Sequence, residues 1–431
     1  MSPHTSAAQT VEEAHDDSAV HGSGEVHMPP LARSVSGGTA LLLSVASGLA
    51  VANVYYAQPL LDVIAREFGM SQATIGLVGT FTQVGYGMGL LLLLPLGDLV
   101  DRRRLIGVQS MLSALALLAV ALAPTATALL AAMTAMGALA VVTQLLVAHA
   151  ASMAAPKDRG RVVGIVTSGI VIGISLARTV AGALGDLAGW RSVYLASAAA
   201  ALAMAALLVR NLPRQYDDRE KLSYPRLIGS TFALFAQMSI LRVRALLAML
   251  IFMAMTVLLT PMVLQLSAPP LSLSTSQIGL FGLAGAAGAL GAARAGRLSD
   301  LRLAQRITGV GLAVMACSWI ASAALPWSLW ALVIAVFAFD FGLQSVHVAN
   351  QSLIYRTRPE AQSRLTAAYM VFYSIGSAAG SITSTTVYAH AGWHGVSILG
   401  AAVSTTALLF WASTRHLASD RDDHHTTRRK S

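Results

Sequence analysis

Apolar runs of about 20 residues, bounded by charges, prolines or polar turns, follow one another along nearly the whole chain. Twelve can be marked, near 38–60, 74–96, 105–123, 126–149, 162–185 and 192–210, then 244–266, 277–296, 306–325, 328–350, 365–388 and 394–413. A helix rising about 1.5 Å per residue crosses the roughly 30 Å of hydrocarbon in a bilayer with such a run. A barrel would need strands of about ten residues with apolar and polar positions alternating. Runs such as Met111 to Leu122 show no alternation. The pattern predicts an all-α membrane protein with twelve transmembrane helices.

Composition agrees, with 55% of the 431 residues hydrophobic and 11% charged, against roughly 25% charged in a soluble domain. The formal charge of +9 is explained by its placement. If the N-terminus is cytoplasmic, the loops on that side carry Arg102, Arg103 and Arg104, then Lys157, Arg159 and Arg161, then Arg297, Arg302 and Arg306, then Arg356, Arg358 and Arg364. The opposite loops carry only Arg66 and Arg191. Positive charge stays inside, so both termini are expected in the cytoplasm. The basic tail Arg428, Arg429, Lys430 reads as an anchor near anionic lipid, and no nucleic-acid partner is called for.

Residues 1–35 are polar and lack the basic start and short apolar stretch of a secretory signal, so they read as a disordered cytoplasmic tail, and 415–431 as a second tail. The segment 212–243 interrupts the apolar pattern with Arg214, Asp217, Asp218, Arg219, Glu220 and Lys221, which makes it a linker. Within it Leu227, Ile228, Thr231, Leu234, Phe235 and Met238 recur at helical spacing, as in an amphipathic helix lying on the membrane surface. The linker divides an N-terminal six-helix unit, 36–211, from a C-terminal one, 244–414.

The two units repeat each other. At an offset of 203 residues, Ile75-Gly76-Leu77-Val78-Gly79 falls on Ile278-Gly279-Leu280-Phe281-Gly282, and Ala188-Gly189-Trp190 on Ala391-Gly392-Trp393. Pro156, Arg161 and Gly173 fall on Pro359, Arg364 and Gly376. At an offset of 199, Gly97, Leu99 and Asp101 fall on Gly296, Leu298 and Asp300. Two parallel repeats are what a carrier needs if its halves tilt about a site held between them.

The segment Pro95-Leu96-Gly97-Asp98-Leu99-Val100-Asp101-Arg102-Arg103-Arg104 resembles the signature loop after the second helix of the major facilitator superfamily. Asn53-Val54-Tyr55-Tyr56-Ala57-Gln58-Pro59-Leu60-Leu61 and Ser175-Leu176-Ala177-Arg178-Thr179-Val180-Ala181-Gly182 are similar to a bacterial branch of efflux permeases grouped with twelve-helix drug:proton antiporters and sugar exporters. The resemblance covers about 38–413. It implies a secondary transporter of the bacterial inner membrane, acting as a monomer, that exports a small organic solute with protons as the coupling ion. A uniporter or sugar facilitator would use the same architecture, as would a non-transporting membrane sensor.

Within the apolar runs two charges stand well inside, Asp340 and Arg178. A charge at that depth costs at least about 2.5–3.5 kcal/mol, so each is expected to face protein or a water-filled cavity. Asp340 is the leading proton-coupling or substrate residue, with Gln344 and His347 on the same helical face and Asn350 beyond them. The alternative is a fixed structural pair of Asp340 with Arg178. Asn53, Tyr55, Tyr56, Gln58, Gln144, Tyr369 and Tyr373 supply polar and aromatic groups suited to a substrate cavity, or, for the tyrosines, to anchoring at the membrane interface. Gly97, Asp101, Arg102 and Arg104, their repeat mates Gly296 and Asp300, and the pair Arg161 and Arg364 are candidate gating residues at the cytoplasmic side. Gly164, Gly169 and Gly173 of the fifth run are expected to pack closely on the eighth, which carries Gly282, Gly285, Gly288 and Gly291.

No His-Glu-x-x-His or Gly-x-Ser-x-Gly marks an enzyme, no phosphate loop is present, and the scattered tail histidines have no metal-ligand spacing. Neither cofactor nor metal is expected. The single cysteine, Cys317, reads as core filler.

Overall fold

A computed structural model describes residues 36–155, 158–212, 223–284, 288, 290–291, 294–295, 303–358 and 362–415. Among these residues the regular structure is helical, without strands. Among the described residues ten helices are long and apolar enough to cross a membrane. The last of them, Gln362–Thr414, is broken at Gly392, where φ is 58° and ψ −159°, and so makes both the eleventh and the twelfth span. The eighth span opens with Thr275–Leu280 and Phe281–Ala284 and is described only in part beyond them. The face that carries Ser36 and Arg415 is called the terminal face below, and the other the far face.

Local chemistry bends several spans where the site lies. The first consists of Gly37–Ala52 and Ala57–Phe68. Pro59 has no N–H for the Tyr55 carbonyl and its ring crowds that oxygen. The chain between the helices tightens instead into shorter bonds, Tyr55 N to Ala52 O at 2.9 Å and Gln58 N to Tyr55 O at 3.2 Å. The fourth span is interrupted likewise between Ala126–Leu139 and Val142–Met153, just before Gln144. The seventh, Ser239–Ser267, carries Pro261 inside the helix.

Glycine sets the helix spacing. A Cβ on Gly85 or Gly89 of the second span would stand 2.0 or 2.2 Å from a carbonyl oxygen of the fourth. The fifth-span glycines correct the sequence reading. Gly169 and Gly173 lie against Ser44 and Gly48 of the first span, Gly164 meets nothing, and it is Gly182 that lies against Thr275 of the eighth. At about 100° per residue, the nine residues from Gly173 to Gly182 turn the helix through about two and a half revolutions, so the two positions serve opposite faces. In the eighth span Gly282 packs on Arg178 and Ser175, while Gly288 and Gly291 face the tenth span at Asp340, Phe341 and Gln344; Gly285 lies outside the described residues.

The halves touch where the second span runs against the eleventh, the fifth against the eighth, and the first against the seventh. Leu41, Met111, Leu115, Ile320, Trp330 and Leu409 point outward from five different spans. Such an apolar exterior would be untenable in water and is what lipid requires. At the terminal face the linker helix Tyr224–Gln237 buries Leu227, Thr231 and Leu234. It spans the halves: Tyr224 donates to Leu92 O at 2.7 Å, and Phe235 stacks on Phe372 of the eleventh span at 4.9 Å.

Candidate transport site

The turn before Pro59 sends two adjacent tyrosines in different directions. The Tyr55 hydroxyl meets that of Tyr373, from the other half, at 3.0 Å. Tyr56 turns into its own bundle, its ring edge-on to Tyr194 with centroids 6.4 Å apart. Asn53 goes with Tyr56, and both line a cavity of about 440 Å³ inside the N-terminal bundle, with Ser110, Ser113 and Ser197. Tyr55 and Gln58, in contrast, line a cavity of about 430 Å³ between the halves, with Thr82, Gln83, Thr256, Thr260, Ser377 and Ser381.

Arg178 is 7% exposed, and its partners come from the first span. Its Nε donates to Gln58 Oε1 at 2.6 Å, and its guanidinium carbon lies 5.5 Å from the centre of the Tyr55 ring. Asp340 is also buried, and the field of Arg178 reaches both Asp340 and Tyr55. The two charges are not in direct contact: among the described residues the ion pairs are Arg66 with Asp62 and Arg191 with Glu67. Gln344, one turn past Asp340, packs with it against Gly288.

His347 shares a hydrogen bond with the Tyr369 hydroxyl at 3.0 Å and lies edge-on to Phe252 at 5.2 Å. Phe252 in turn touches the Tyr373 ring, centroids 4.1 Å apart. On the other side Tyr373 meets Tyr86 at 6.1 Å, whose hydroxyl accepts from Gln144 Nε2 at 3.4 Å. One connected set of polar and aromatic groups thus runs from Gln58 and Arg178 through Tyr55 and Tyr373 to His347 and Tyr369, with Gln144 as a branch. Both halves contribute to it. A relative tilt of the halves must change these contacts, which is the geometry a carrier can use to couple binding to motion.

The sequence reading missed Gln83, Tyr86, Phe252 and Arg244. Arg244 stood at the expected edge of the seventh run, yet the seventh helix starts five residues before it, at Ser239, so the linker ends earlier than 243. It is 1% exposed, and its Nη1 donates to Asn350 Oδ1 at 3.2 Å. Gln83 and Tyr86 carried a signal, two polar groups three apart in an apolar run.

The expected gating residues divide. Asp101 caps the third span, accepting from Arg103 N at 2.9 Å. Arg102 Nε donates to Gly97 O at 3.0 Å, and Gly97, Arg102 and the C-terminal half's Arg364 line one cavity of about 420 Å³ with Leu227 and Thr231 of the linker helix. Arg104 and Arg161 stand exposed. Gly296 and Asp300 lie outside the described residues. Among the described residues no group of three metal-ligating side chains occurs.

The sequence profile of the Major Facilitator Superfamily matches residues 43–380 and 271–430. The chain belongs to the major facilitator superfamily. Relatives of this facilitator include the uncharacterized transporter YgaY of Escherichia coli O157:H7, 45% identical over 86% of this chain and 94% of that protein. The probable transporter SCO4007 of Streptomyces coelicolor is 30% identical over 86% of each chain. Among solved structures, a bacterial homolog of the human lysosomal transporter Spinster, inward-facing and unoccupied, superposes with a TM-score of 0.69 at 18% identity, covering 88% of this chain and 96% of that one. The human organic anion transporter MFSD10 gives 0.66 at 17% identity, covering 89% and 100%. At those identities the likeness establishes the fold. The chain is therefore a multi-span membrane transporter of the facilitator type.

Proposed function

We propose that this transporter is a secondary carrier that exports a small organic solute by alternating access, driven by protons taken up and released at Asp340. The observation that carries the reading is that Asp340 is buried and, among the described residues, in no ion pair, while Arg178 engages Gln58 and Tyr55, which line the cavity shared by the halves. A carboxyl group locked in an ion pair has no reason to change protonation, whereas one balanced between burial and a nearby cation can do so as the halves move. Tyr55, Gln58 and Tyr373 supply hydrogen bonds and apolar surface for the solute. The units 36–211 and 244–414 tilt about this site, and the cluster of Gly97, Arg102 and Arg364 takes part in closing the terminal face. That face is assigned to the cytoplasm from the arginine distribution, in the inner membrane of a bacterial cell, and the working unit is taken as the monomer.

The test has two stages. A thermal-shift screen of purified protein against metabolites and drugs finds a ligand, because binding to the folded state alone raises apparent stability. Flux of that ligand into proteoliposomes is then measured with and without an imposed pH gradient. Gradient-driven accumulation supports the reading. Equilibration that ignores the gradient would make the protein a uniporter and remove Asp340 from the coupling role.

A further inference from the structure

The halves meet at the far face along two seams that the internal repeat relates. In one, Ser381 Oγ of the eleventh span donates to Gly76 O of the second at 2.8 Å, and Thr385 Oγ1 donates to Ala73 O at 3.1 Å. The repeat carries Gly76 onto Gly279 and Ser381 onto Arg178. In the second seam Gly279 indeed lies against the Arg178 carbonyl, Thr179 Oγ1 donates to Gly279 O at 3.0 Å, and Ser276 Oγ donates to Gly182 O at 3.4 Å.

One feature breaks the symmetry. Asp186, in the last turn of the fifth span, reaches the start of the eighth. Its carboxylate accepts from Thr275 N at 3.2 Å, from Ser276 N at 2.8 Å, and from the Thr275 hydroxyl. The repeat mate of Asp186 is Ala389, which offers no acceptor.

The first turn of a helix leaves its N–H groups without helical partners. Ser274 and Gln277 of the eighth span satisfy each other in a capping box. The two N–H groups between them go to a carboxylate from the other half of the molecule. Asp186 is itself exposed, so water can replace its contacts as they break.

We infer that Asp186 is a latch of the transport cycle: it holds the far face closed by capping the eighth span, and it lets go when the fifth and eighth spans part. The inference rests on the alternating-access reading. A charged cap at a helix start is worth enough to bias the closed-to-open ratio by about tenfold.

The experiment uses the full chain with Cys317→Ala and spin-labelled cysteines replacing Leu122 and Trp327, both exposed on the far face of different halves. Pulsed electron resonance reads the populations of short and long distances in lipid nanodiscs. Asp186→Asn is expected to shift the ratio about tenfold toward the long distance. Asp62→Asn, which removes a carboxylate paired with Arg66 inside one helix, should leave it unchanged. Thr275→Val removes one of the three donors and should shift the ratio the same way by a smaller factor. If the parent shows both populations and neither Asp186→Asn nor Thr275→Val moves them, the latch is overturned. A single population in the parent and in every variant overturns the rocking reading and the latch with it, so the two failures are distinct.

Discussion

Asp340→Asn separates the two jobs open to that carboxyl group. Arg178 does not depend on Asp340 for its contacts, since Gln58 accepts its Nε at 2.6 Å and the Tyr55 ring lies 5.5 Å away. A hydrogen bond to a charged group is worth about 1.5–3 kcal/mol and a desolvated cation–π contact about 2 kcal/mol, and both survive the change. What is lost is the attraction between two charges not in contact, which even at 4 Å is about 4 kcal/mol at an effective dielectric of 20. What is gained is relief from burying a carboxylate, several kcal/mol. The two nearly cancel, so Asp340→Asn is expected to alter stability by less than about 1 kcal/mol. Arg178→Gln removes the charged hydrogen bond and the ring contact together and is expected to cost about 3 kcal/mol. Melting in detergent compares the variants, and proteoliposome flux under a pH gradient reads the coupling. Asp340→Asn should lose gradient-driven flux while exchange of labelled for unlabelled solute continues. If Asp340→Asn instead melts as early as Arg178→Gln, and the double change recovers the loss, the residues are a structural pair and the coupling role falls.

Three further outcomes are expected. Gly85→Ala forces a methyl group onto a backbone oxygen of the fourth span and should cost about 1–3 kcal/mol, whereas Gly164→Ala, with open space around it, should be neutral or stabilising by up to about 1 kcal/mol; parallel melts of both decide. With Cys317→Ala as background, an impermeant thiol reagent applied outside intact cells should label cysteine at Thr125 or Ser267 and spare one at Arg103, and the reverse pattern would invert the assigned orientation. Arg244→Met should leave melting unchanged or raise it, because the guanidinium is fully buried with Nε lacking a partner; Asn350→Leu, which removes its acceptor, should cost about 1–3 kcal/mol, and a larger loss in Arg244→Met would refute this ordering.

Much of the fold was legible because membrane insertion is a one-dimensional constraint: an apolar run either reaches across or does not. The helical character and most of the apolar spans could be read from residue order. Direction around each helix was less legible. Gly169 and Gly173 looked available to the eighth span, and only the packed structure reveals that their face belongs to the first. Adjacent Tyr55 and Tyr56 looked alike, yet Pro59 rewinds the chain so that one faces the other half and the other its own bundle. Arg244 was hidden for a different reason. A charge at the border of an apolar run reads as the end of the span, whereas packing against Asn350 lets the helix carry it inside.

The internal repeat sharpens what is functional, because symmetry identifies what the fold alone needs. Gly76 and Gly79 pack on Ser381 as Gly279 and Gly282 pack on Arg178. The close approach of backbone to backbone is common to both seams. The charges are not common to both. Arg178 stands where the repeat has Ser381, Asp340 where it has Gly137, and Asp186 where it has Ala389. A serine, a glycine and an alanine satisfy the scaffold at the mirrored positions, so packing does not explain the costly choice of buried ionic groups at Arg178 and Asp340. Arg178 joins the two roles, since its backbone lies in the far-face seam while its side chain reaches Gln58 and Tyr55 at the cavity. Parting that seam moves the helix that carries the guanidinium, and with it the field acting on Asp340. On the proposed cycle, charge placed on one seam and withheld from its mate would give two rocking halves a means of linking their opening to the state of one carboxyl group.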